Sequence, residues 1–183
     1  MTAYSAAEVE RAWWPAKVID SLLPSYLIPI RQTYSQELLG APLGLFARPT
    51  ALGLSREHVY FRGPHGPKLR TPARLLWYMS GSALGSVEPP AVVGASLLEE
   101  LVQDSPERLD ERFRHLGVWR QEQIVAAASN GQAQALRFTH TEIFSRRVSL
   151  RTLKQIVGRP PRGPVAISGS AYASIYAAGH RRD

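Results

Sequence analysis

Apolar positions along the chain change period several times, and each change marks an element. Val9, Trp13 and Ala16 fall near one face of a short first helix, with Ser5 as its cap and Glu8 as the capping-box partner. Pro15 limits that helix, because an interior proline removes a hydrogen bond and kinks the axis. PSYLIPIR (24–31) reads as extended chain, and TYSQELLG (33–40) as one or two helical turns ended by Gly40. Over 41–56 the residues Pro42, Gly44, Pro49 and Gly53 break every period, which predicts irregular chain.

The middle of the sequence turns to strand patterns. HVYFRG (58–63) is a short strand, and the Gly/Pro pairs of GPHGPKLRTP (63–72) make a loop. ARLLWYMSG (73–81) is a nearly unbroken apolar strand. AVVGA (91–95) is a buried strand in which Gly94 marks a bulge or a close approach of another backbone. Leu97, Leu98, Leu101 and Val102 fit a helix by period, but a long bent strand is preferred because Asp104-Ser105-Pro106 begins a separate helix. In that helix (105–117) Ser105 is the cap, Pro106 takes the first position, and Leu109, Phe113 and Leu116 form the buried stripe. A short helix at 120–129 is followed by the Asn130-Gly131 turn and a strand at 134–144. A helix at 149–158 capped by Ser149, a short strand at 164–168 and a small-residue helix at 169–179 complete the chain. The pattern predicts an α+β fold, a small twisted β-barrel with flanking and inserted helices. It divides into an N-terminal helical segment (1–23) and a main domain (24–183).

Composition sharpens the picture in two places. The net charge of +7 over 183 residues favours partners rich in phosphate. The absence of cysteine removes disulfides, thiolate metal sites and cysteine nucleophiles. No apolar run reaches the roughly 18 residues of a membrane span, and the N-terminus lacks a secretory pattern. A cytoplasmic protein without a membrane partner is expected.

Familiar catalytic motifs are absent. There is no phosphate-binding Gly-rich loop with Lys-Ser/Thr, no His-Glu-x-x-His and no Gly-x-Ser-x-Gly. The five histidines have no metal-ligand spacing, so no metal and no cofactor is expected. The basic residues are more informative. Arg62, Lys68 and Arg70 surround the Gly/Pro loop, and Arg146 and Arg147 precede the 149–158 helix. If they converge, they form a phosphate-tracking rim. Aromatic residues interleave with them. Alternation along a strand puts one of Trp77 and Tyr78 in the core and the other outward, where an exposed ring can stack a base.

The stretch TPARLLWYMSGSALGSVEPPAVVGASLLEELVQDS resembles the central hairpin of the PUA-like superfamily, especially its EVE and ASCH branches. The matching residues are Arg74, Leu75, Leu76, Tyr78 and Ser80, then Val92, Val93 and Gly94. Downstream, Val118-Trp119, Leu136-Arg137-Phe138 and the Ser-Leu-x-x-Leu helix are similar to PUA-like domains found C-terminal to bacterial GNAT-type acetyltransferases. The resemblance spans roughly 24–178. It implies a small β-barrel that binds DNA or RNA; some EVE-like members hold a modified, flipped-out base in an aromatic cage, and some ASCH-like members cleave RNA. The chain departs from the EVE pattern by opening on a helix, and it carries no acetyl-CoA loop. The reading is a nucleic-acid-binding module in which Tyr60, Trp77, Tyr78, Ser80, Thr139 and His140 contact a base. Arg62, Lys68, Arg70, Arg146 and Arg147 hold phosphates. The alternatives are a metal-independent ribonuclease using His140 and Lys68, and a protein-interaction domain whose partner docks on the N-terminal helix at Trp13-Trp14.

Overall fold

The computed structural model describes residues 1–39, 56–80, 89–159 and 161–180. Helix α1 (Ala3–Ala12) is followed by β1 (Ser25–Arg31), α2 (Gln32–Leu39), β2 (Glu57–Arg62), β3 (Ala73–Ser80) and β4 (Ala91–Asp104). Then come α3 (Pro106–Phe113), a 3₁₀ turn (Arg114–Leu116), α4 (Gln121–Ala127), β5 (Ala133–Ser149), α5 (Leu150–Val157), β6 (Val165–Ile167) and α6 (Gly169–His180). The irregular chain expected over 41–56 and the cap at Gly40 fall almost wholly outside the described residues. Among those residues no helix is long and apolar enough to cross a membrane.

Local chemistry accounts for most boundaries. Ser105 accepts from Arg108 N with Pro106 at the first helical position, and Ser149 accepts from Thr152 N, as the sequence predicts. The first helix starts earlier than expected. Thr2, not Ser5, is its cap, and its side chain accepts from Ser5 N. The helix also stops before Pro15, so no kink arises. Asn130 and Gly131 both have positive φ, 51° and 71°. Two such residues in succession match the twist of a tight hairpin. The strand expected at 134–144 runs on to Ser149.

The six strands form one mixed sheet in the order β2-β5-β4-β3-β1-β6. Only β1 and β3 run parallel; the other pairs are antiparallel. Strand β3 lies inside the sheet and is covered on both faces, hence its unbroken apolar run. Leu75, Trp77 and Met79 join one core with Ile28, Ile30, Leu136 and Phe138. Leu76 and Tyr78 join another with Leu27, Val92, Tyr172 and Ile175, under α5 and α6. Helices α3 and α4 cover a third cluster around Val59, Phe61 and Ala135.

A closed barrel is not formed. Among the described residues no ladder joins β2 to β1 or β6. The two ends of the sheet nevertheless approach, because Tyr60 Oη on β2 donates to the Pro29 carbonyl on β1 at 3.3 Å. Strand β6 pairs only with Ser25–Leu27, leaving the second half of β1 beyond it. Pro29 lies in that half and has no N–H to offer a further strand. The seam is therefore bridged by side chains, and a cleft opens along it.

Candidate functional site

The cleft, about 450 Å³ in volume, is lined by the ends of β1 and β2, the start of α2, and residues of α4. Its aromatic wall is built by Tyr34, Tyr60 and Trp119. Tyr34 stacks on Trp119 at a centroid distance of 4.6 Å, and Tyr60 meets Trp119 edge-on at 5.6 Å. Behind them, Trp77 braces Tyr60 at 5.7 Å. Gly63 closes one end: a Cβ there would lie 2.7 Å from the Ala127 carbonyl, so only glycine allows the loop after β2 to press against α4.

The polar lining is strongly one-sided. Arg31, Arg62 and His65 face the cleft, and no carboxylate among the described residues lines it. Arg62 is only 8% exposed. Its Nε donates to the Gly63 carbonyl at 3.0 Å, but its Nη1 is buried without a partner. Burial lowers its pKa, only partly offset by Tyr60. Trp119 Nε1 is likewise buried without a partner. The same burial pushes the Tyr60 hydroxyl up to about 12, so it stays protonated and can donate. Buried donors are normally satisfied, and orphans in a cleft mark a place where an acceptor belongs.

The residues singled out in the sequence do not all meet there. Tyr60 and Arg62 do. Trp77 is fully buried and its Nε1 donates to Ser96 Oγ at 2.8 Å. Tyr78 points to the opposite face, as alternation requires, but α5 and α6 cover that face and leave the ring 4% exposed. Neither ring is open for stacking, because this strand has no solvent side. Ser80 Oγ donates to the Ile30 carbonyl at 3.3 Å. Lys68 and Arg70 are exposed on the loop before β3, and Arg146 and Arg147 lie near the end of β5. Thr139 and His140 belong to a different place. Thr139 Oγ1 donates to Glu99 at 2.9 Å, and His140 lines a small cavity with Glu10, Lys17 and Tyr172. His140 has φ of +52°, and its pKa is lowered by burial and the nearby cations, against the pull of Glu99.

No family model and no curated protein matches the sequence. Solved structures do match. The ASCH protein from Zymomonas mobilis superposes with a TM-score of 0.63 at 17% identity, covering 84% of this chain and 94% of that one. A hypothetical protein from Leishmania major reaches 0.52 at 11% identity, covering 86% of this chain and 94% of its own. A Pseudomonas putida protein reaches 0.52 at 15% identity over 85% and 99%. The chain shares the fold of these structures, the Zymomonas mobilis ASCH protein among them.

Within this fold, the cleft depends on residues that strand patterns alone pass over. Arg31 ends an apolar strand, and Tyr34 follows three residues later on α2; PIRQTY carried that signal as a cation and a ring placed at a strand end. Trp119 stood out as half of the Val118-Trp119 dipeptide and as one ring among those interleaved with the basic residues. What joins these residues is the curling of the sheet, which brings positions 31, 62 and 119 together.

Proposed function

We propose that this ASCH-fold protein binds nucleic acid through the cleft at the sheet seam. One observation carries the reading: a buried arginine, Arg62, with an unused donor and no carboxylate against it among the described residues, in a cleft lined by a second arginine. A desolvated guanidinium without an anion is costly, and an incoming phosphate or base acceptor supplies the missing partner. The net charge of +7 draws a polyanion toward the surface. Arg146, Arg147, Lys68 and Arg70 serve in this reading as an outer phosphate-tracking rim.

The test is fluorescence anisotropy with single- and double-stranded DNA, methylcytosine-containing DNA and RNA, each at two salt concentrations. Binding that weakens about tenfold or more in Arg31→Gln/Arg62→Gln is expected. Failure of every probe to bind at low salt overturns the proposal. The modified-base reading needs methylated DNA to outbind its unmodified twin in salt that abolishes generic contacts.

A second reading rests on a different surface. Trp13, Trp14, Tyr4 and Leu22 are exposed at 73%, 47%, 70% and 77%, which is unusual for large apolar side chains. They are the basis for a protein partner at the N-terminal segment.

A further inference from the structure

The cleft is rich in donors and poor in open ring faces, and this contrast narrows what it can take. A cage for a flipped base needs a free aromatic face. Here Trp119 is stacked by Tyr34 and flanked by Tyr60 and Phe61. Tyr60 is packed edge-on against both Trp77 and Trp119. The rings hold one another. The unused groups are N–H donors, Arg62 Nη1 and Trp119 Nε1, both buried. Arg31 and His65 stand on the walls, and none of the described lining residues is acidic. Such a set suits an acceptor with several oxygens and a full negative charge.

Depth decides between kinds of phosphate. Arg62 lines the cleft yet is only 8% exposed, so an anion meets it only by entering the cleft. A phosphodiester within a strand carries a nucleoside on each side, and reaching this depth would force both into the cleft. A terminal phosphate enters end-on, and its second negative charge better matches a desolvated cation.

From this, and resting on the nucleic-acid reading above, we infer that the cleft is a phosphomonoester pocket: Arg62 and Trp119 Nε1 bind the phosphate oxygens, with Arg31 and His65 at the mouth. The ligand is a phosphorylated strand end or a mononucleotide, which share this chemistry. Removing Arg62 takes away a buried cation with no carboxylate partner among the described residues, so Arg62→Met melts no lower than the parent protein. Its role is in binding.

The experiment uses the full chain and a labelled 12-nucleotide single strand in four forms: hydroxyl at both ends, 5′-phosphate, 3′-phosphate and both. Adenosine 5′-monophosphate and inorganic phosphate are titrated separately by calorimetry. A phosphorylated end is expected to bind at least tenfold more tightly than the hydroxyl-ended strand. Arg62→Met and Trp119→Phe, the latter keeping a ring but losing the N–H, are expected to erase that ratio while retaining the residual, salt-sensitive affinity. Equal affinity for all four strands overturns the pocket and leaves nucleic-acid binding standing. Binding of the mononucleotide but of no strand supports the pocket and removes the nucleic-acid reading. No binding of strands, mononucleotide or phosphate overturns both.

Discussion

At the scale of single residues, charged groups divide into those that find partners inside the protein and those that do not. Glu10 and Arg74 are 4% and 1% exposed and form a buried pair at 2.6 Å. Arg74 also donates to the Val18 carbonyl and Ser21 Oγ, and it lies 5.0 Å over the Tyr172 ring. The pair ties α1 to the sheet. Glu10→Gln leaves a guanidinium buried without its counter-charge and is expected to cost about 3 kcal/mol or more in chemical denaturation; a loss under about 1 kcal/mol, the scale of exposed pairs, refutes this role. Glu99 is a milder case. Burial alone would raise its pKa, but hydrogen bonds from Arg11 and Thr139 outweigh it and hold the carboxyl below its ordinary 4.5. A lowered carboxyl stabilises the fold above the ordinary value and loses that effect as pH falls through the lowered one. The gap in melting temperature between the parent protein and Arg11→Met should be widest near neutrality and close on acidification; a gap independent of pH would contradict it. None of these pairings was legible in the sequence, since Glu10 and Arg74 are separated by much of the chain and only the folded sheet joins them.

At the scale of elements, one glycine governs how the two longest strands cross. The β4–β5 register shifts between Val92 and Gly94, and the β3–β4 register shifts on the other side. A Cβ on Gly94 would lie 2.5 Å from the Glu142 carbonyl, a backbone atom that cannot swing away. Gly94→Ala is therefore expected to cost about 1–3 kcal/mol, read as a lower denaturation midpoint; an unchanged midpoint would mean that the strands part without cost. Sequence reading reached this position, because a glycine inside an apolar strand is anomalous by itself. It also placed the caps at Ser105 and Ser149 and preferred the long strand after residue 97. It misjudged Trp77-Tyr78. Alternation correctly assigns them to opposite faces, but it says nothing about whether helices distant in sequence, here α5 and α6, cover the second face.

At the scale of the whole molecule, curling of the sheet without closure produces the cleft, and the same property makes the cleft testable by salt. A rim of scattered surface cations and a localised cleft both predict binding that weakens as salt rises. They differ in which residues set the slope. Each phosphate neutralised on a single strand contributes about 0.7 to the fall of log K with log salt. If Arg31 and Arg62 each neutralise one phosphate, Arg31→Gln/Arg62→Gln should reduce the slope by about 1.4. Arg146→Ala/Arg147→Ala, on the distant end of β5, should reduce it by a similar amount if the outer rim tracks the strand. The two pairs separate when the strand is shortened to a few nucleotides: the cleft arginines retain their effect because the end they grip is still present, while a rim that needs length loses its own. A short strand whose binding depends on Arg146 and Arg147 but not on Arg31 and Arg62 would move the site away from the seam.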